Sequence, residues 1–211
     1  MKEVSIIGVD LAKNVFQLHG SAADGSVVFR KKLSRLQFER FMAAQPACTV
    51  AMEACGGAHH WARTLQGMGH TPLLIAPRYV KPFVKRQKND SADAEAIVEA
   101  ALRPTMRFVE PKTDEQQGRA VLFRTRTQFI ESRTVAVNAL RAHLYEFGHI
   151  APLGVHQVKR LAEIVDAEDS GLPEAVRLCC RELLAQIAQL GERLRVLDRE
   201  IARLSGQGET A

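Results

Sequence analysis

Four acidic residues in the first half of the chain have the types and spacing that metal-dependent phosphodiester chemistry requires. Asp10 closes the apolar run VSIIGVD, Glu53 closes the run CTVAME, and Asp90 and Asp93 stand three apart in KNDSADAEAI. A carboxylate directly after a buried strand is costly unless a cation meets it. Two strand-end carboxylates and a helical i, i+3 pair, brought together, would hold one or two Mg²⁺ (or Mn²⁺) ions, which favour hard oxygen ligands. Each residue alone also has an ordinary reading. Asp10 fits a turn after a strand, Glu53 fits a surface partner for a lysine, and Asp90 and Asp93 fit the first turn of a helix, where carboxylates complement the dipole. The combination favours a nuclease-type site.

The elements that must position these carboxylates follow from the hydrophobic pattern. Residues 4–10 read as a buried strand, and 14–20 and 26–32 as two more, joined at Ala23-Asp24-Gly25. A helix at 35–44, a strand at 48–53, a helix ending near Met68 and a strand at 72–76 follow. The order β-β-β-α-β-α-β is that of an RNase H-like (RuvC-like) α/β fold, a mixed sheet with flanking helices. Its first and fourth strands lie side by side, and adjacent strands are about 4.8 Å apart. Asp10 and Glu53 are therefore expected to meet. Asp90 is expected to cap a helix running through Ala101, with Asp93 on the same face.

Cations are concentrated in two places. RYVKPFVKRQK carries Arg78, Lys81, Lys85, Arg86 and Lys88 directly ahead of Asp90. In a long helix expected at 113–147, Arg119, Arg126 and Arg133 recur every seven residues and so share one face. Both groups are candidates for nucleic-acid phosphates; a solvated loop and pairing with Glu115 and Glu131 are the alternatives. Residues 148–173 read as a linker with one short helix. The last segment is heptad-patterned, with Leu183, Leu190, Leu197 and Leu204 at d and Ile187, Leu194 and Ile201 at a. It predicts a coiled-coil segment, residues 183–204, that mediates self-association, with a second copy favoured as its partner and the upstream helix as the alternative. Two domains are expected, 1–110 carrying the carboxylates and 111–211 helical.

With 211 residues, 46% of them hydrophobic, the chain can bury a core and is not a disordered chain. Its formal charge of +5 leans toward a polyanionic partner. No apolar run approaches a membrane span and no signal peptide is visible, so a cytoplasmic location is expected. Cys48, Cys55, Cys179 and Cys180 lack disulfide or metal spacing and read as reduced thiols, buried where Cys48 and Cys55 flank a strand. His59 and His60 lack ligand-spaced partners and read as structural. Actin-like sugar kinases also open with a strand ending in Asp, but Leu11-Ala12-Lys13 provides no phosphate-cradling turn.

The blocks IIGVDLAKNVFQLH, MEACGGAHHWARTL and KNDSADAEAIVEA resemble the hallmark blocks of the DEDD-type transposases of bacterial insertion sequences, family one hundred and ten. The resemblance extends over nearly the whole chain. It implies that Asp10, Glu53, Asp90 and Asp93 are the catalytic tetrad and metal ligands, with DNA as substrate and transposition by strand cleavage and exchange as the activity. It further implies a structured guide-type RNA as a possible partner and a dimer or higher assembly. Family members continue into a domain that supplies a serine nucleophile, so a truncated copy or fragment is expected here. A non-catalytic nucleic-acid-binding and dimerisation remnant, or a nuclease resembling Holliday-junction resolvases, are the alternative readings.

Overall fold

The computed structural model describes residues 3–84 and 90–206, the side chains of Asp90 and Ser91 excepted. The chain divides after Asp114 into two compact units.

In the first unit, β1 (Ile6–Asp10), β2 (Val15–Ser21), β3 (Val27–Ser34), β4 (Thr49–Glu53), β5 (Thr71–Ile75) and β6 (Phe108–Val109) form one sheet, ordered β3-β2-β1-β4-β5-β6. β1, β4 and β5 run parallel, while β2, β3 and β6 pair antiparallel. Side chains alternate between faces along each strand. Ile7, Val9, Val50 and Met52 face α1 (Arg35–Ala43) and α2 (Ala58–Gly67), where Phe38 and Trp61 meet Phe16 edge to face. Ile6, Ala51 and Ile75 face the opposite layer, packing with Val80 of the short α3 (Pro77–Val80) and with Ile97 and Val98 of α4 (Asp90–Ala101). This is a mixed α/β sheet with flanking helices, consistent with the RNase H-like expectation. Sequence periodicity missed α3 and β6, which are four and two residues long; neither spans enough chain to show a period.

Two 33-residue helices, α5 (Asp114–Glu146) and α7 (Glu174–Gly206), flank the shorter α6 (Val158–Asp166). α5 and α7 run antiparallel. Arg126 Nε pairs with Asp198 Oδ1 at 2.5 Å toward one end. Toward the other, Leu140 and Leu144 share a core with Cys180, Leu161 and Val165. Of the two partners open for the heptad seam, the upstream helix of the same chain is the one seated on it. Cys180, Ile187, Leu190 and Leu194 are buried on α7, while Leu183, Leu197, Ile201 and Leu204 of the same seam are half-buried.

Candidate metal centre

β1 and β4 end in carboxylates at the same sheet edge. Their parallel register pairs Gly8 with Ala51 and Val9 with Met52. One further step sets Asp10 beside Glu53, in phase with Gly8 and Ala51, so both leave the sheet on the α4 face. α4 supplies Asp93 from above. Asp10, Glu53 and Asp93 line one cavity of about 270 Å³, completed by Pro77, Val80, Lys81, Val84 and Ile97. It lies beyond the carboxyl ends of the parallel strands, where α/β sheets commonly seat ligands.

The electrostatics carry the mark of crowded negative charge. Burial, and then the charge of Asp93, push the Glu53 carboxyl above its ordinary value. The Cys55 thiol is raised by burial and by the charges of Glu53 and Asp10, against a smaller opposing contribution from its own backbone. Folded Glu53 therefore binds its proton more tightly than unfolded Glu53, so its ionisation costs stability as pH rises through the raised value. Without divalent ions, Glu53→Gln is expected to raise the melting temperature at neutral pH. The gain should shrink as pH falls through the raised value and be gone below the unfolded carboxyl value. Melts across that range in the presence of a chelator check it; a gain that persists at low pH would refute the assigned cause.

Hard carboxylate oxygens suit Mg²⁺ or Mn²⁺, and a cation would relieve the repulsion felt at Glu53. Among the described residues, no three His, Cys, Asp or Glu side chains stand close enough to hold an ion as they are. Asp90 opens α4 one helical turn before Asp93, and its side chain lies outside the described residues. The donor chemistry fits a divalent cation, and the spacing requires the carboxylates to close on it.

The cations separate into distinct environments. Lys81 lines the carboxylate cavity itself, a placement that its position in a basic run did not reveal. The Arg78 guanidinium lies over the Tyr79 ring at 4.7 Å and donates to its hydroxyl at 3.1 Å. Lys85, Arg86 and Lys88 lie outside the described residues. On α5, Arg119 is exposed beside Glu115, Glu200 and Arg203. Arg126 is held by Asp198, not by Glu115 or Glu131. Arg133 is half-buried, its Nε enclosed without a hydrogen-bond partner. The three arginines thus share a face, and that face turns toward α7.

Other expectations resolve simply. His60 meets Trp61 edge to face at 5.4 Å, and His59 Nδ1 accepts from the Lys112 amide at 3.1 Å. All four cysteines are free, but Cys48 and Cys55 are partly exposed rather than buried. No helix among the described residues is long and apolar enough to cross a membrane.

In this chain a mixed sheet delivers carboxylates from two parallel strands and a crossing helix to one cavity. Comparison with known proteins names the group. The family model for transposases of the DEDD IS110 type matches residues 7–149, and the chain belongs to that family. It is 42% identical, over its full length, to the transposase for insertion sequence element IS1328 of Yersinia enterocolitica. It is 39% identical, over 99% of its length, to the transposase for insertion sequence element IS1111A of Coxiella burnetii. The chain spans 63% and 58% of those two relatives.

Proposed function

We propose that this chain forms the carboxylate-bearing part of an insertion-sequence transposase, acting on DNA by metal-dependent strand cleavage and exchange. The observation that supports this best is the single cavity shared by Asp10, Glu53, Asp93 and Lys81. The catalytic region is the RNase H-like segment 1–110, and the helical segment 111–211 extends it. Asp10, Glu53, Asp90 and Asp93 hold the ion. A divalent cation bound there would neutralise charge on the scissile phosphate and activate the attacking oxygen. Asp10 and Glu53 are anchored at strand ends, so the sheet sets their backbone positions and only side-chain rotation is left to close them on an ion. Lys81 opposes them as an ammonium that can meet a phosphate oxygen entering the cavity. The test is cleavage of branched DNA by the chain with Mg²⁺ or Mn²⁺. Loss of cleavage in a chelator and in Glu53→Gln supports the proposal, and undiminished cleavage in either refutes it.

DNA binding should be steeply salt-dependent, because it rests on Lys and Arg meeting phosphates. With Arg126 engaged by Asp198 and Arg133 half-buried, Arg119 is the member of that stripe best placed to meet DNA. Replacing all three by Ala should flatten the log–log salt slope by about one unit rather than three. A structured RNA partner would be gripped by the same backbone-reading cations. Self-association would use surface other than the α5–α7 seam; sedimentation at micromolar concentration as a monomer would remove it from the proposal.

A further inference from the structure

The carboxylate cavity depends on how closely α4 approaches the sheet, and one residue controls that approach. Gly8 sits two residues before Asp10 on β1 and faces α4. A Cβ built on Gly8 would stand 2.3 Å from the Ala94 carbonyl oxygen and 2.6 Å from Val98 Cγ2. Ordinary contact between non-bonded heavy atoms is roughly 3.5–4 Å. The methyl group of alanine is therefore excluded by about an ångström. The nearest obstacle is helix backbone, which no side-chain rotation can move aside. Gly8 has no positive φ to accommodate; space alone requires glycine here.

Asp93 immediately precedes Ala94 on α4. A change that lifts Ala94 off β1 lifts Asp93 away from Asp10 and Glu53 with it, because a helix moves as a rigid turn. Metal sites tolerate about half an ångström of such error.

We propose that Gly8 is a positioning residue of the metal centre, setting the distance between the carboxylate on α4 and the two on the strands. This rests on the reading of the cavity as a divalent-cation site. Gly20, on the neighbouring β2, supplies an internal comparison. A Cβ there would meet the Phe29 ring at 2.5 Å, a side chain that can swing away, and it bears on no carboxylate.

The experiment is titration of Mn²⁺ into the chain, followed by electron paramagnetic resonance of the free ion, for the parental protein, Gly8→Ala and Gly20→Ala. Circular dichroism and melting temperature establish folding of each variant. Gly8→Ala should bind Mn²⁺ about 10- to 100-fold more weakly, the range seen when the support of a metal ligand is disturbed. Gly20→Ala should bind as the parent does even where it melts lower. A folded Gly8→Ala with parental affinity overturns the proposal. Should Gly8→Ala fail to fold, Val98→Ile overpacks the same contact from the helix side; weakened binding then supports the proposal and parental binding overturns it. A parental chain that binds no Mn²⁺ overturns the metal-centre reading, and the role of Gly8 falls with it. That result is distinct from one in which the parent binds and Gly8→Ala binds equally well.

Discussion

Asp10→Asn is expected to abolish the stabilisation that Mg²⁺ or Mn²⁺ confers and to lower DNA strand cleavage by about a thousandfold or more, roughly 4 kcal/mol of transition-state stabilisation. The parental chain should gain about 2.7 kcal/mol when the free ion stands at a hundred times its dissociation constant, a shift of several degrees in melting temperature. Asparagine keeps the shape of the side chain and removes its charge, so the fold should persist. Asp10 ends a strand whose other residues are sealed against α1, α2 and α4, and that apolar packing is unchanged by the substitution. Paired melts with and without the ion test the assignment. A mutant that retains the parental shift would show that the ion binds elsewhere.

The second large effect concerns the helical unit. Leu194 is buried on α7, and an Asp placed there would carry a charge into an apolar seam with no partner provided for it. Such a charge costs several kcal/mol, which a helix pair of this size does not have to spare. Leu194→Asp should therefore melt the α5–α7 pair, seen as a large loss of helical dichroism. The chain's one tryptophan, Trp61, lies in the other unit, packed against Phe16 and Phe38. Its fluorescence should stay native while the helical signal falls. Full retention of helicity would mean that Leu194 is not sealed in an apolar seam in solution.

What could be read before the structure and what could not divides along physical lines. β1 and β4 were legible because each is a short apolar run, rich in residues that suit a buried strand, and ends in a carboxylate. Strand order then implied their adjacency. Asp93 was legible through its spacing from Asp90, but its distance from the sheet was not, because that depends on Gly8 and Ala94 meeting across an interface that no local pattern encodes. The seven-residue spacing of Arg119, Arg126 and Arg133 established a shared face without saying where it points. Asp198, lying 72 residues after Arg126, supplies that answer only in three dimensions. The heptads likewise announced an apolar seam and left its partner open. Long-range pairing, not local propensity, decided each of these cases.

The register between β1 and β4 also bears on which changes the chain can absorb over time. Side-chain direction along a strand is a two-valued property, so the pairing of Asp10 with Glu53 is a matter of parity. One residue inserted between Ile6 and Asp10 would send the carboxylate to the side occupied by Val9 and Trp61, into an apolar layer that would expel it. Two inserted residues would restore the side but carry Asp10 about 6.6 Å beyond Glu53. No gradual path leads from one arrangement to the other. Length variation in this lineage should therefore collect in the turns that follow Asp10 and Glu53, while the spans from Ile6 to Asp10 and from Thr49 to Glu53 hold their count.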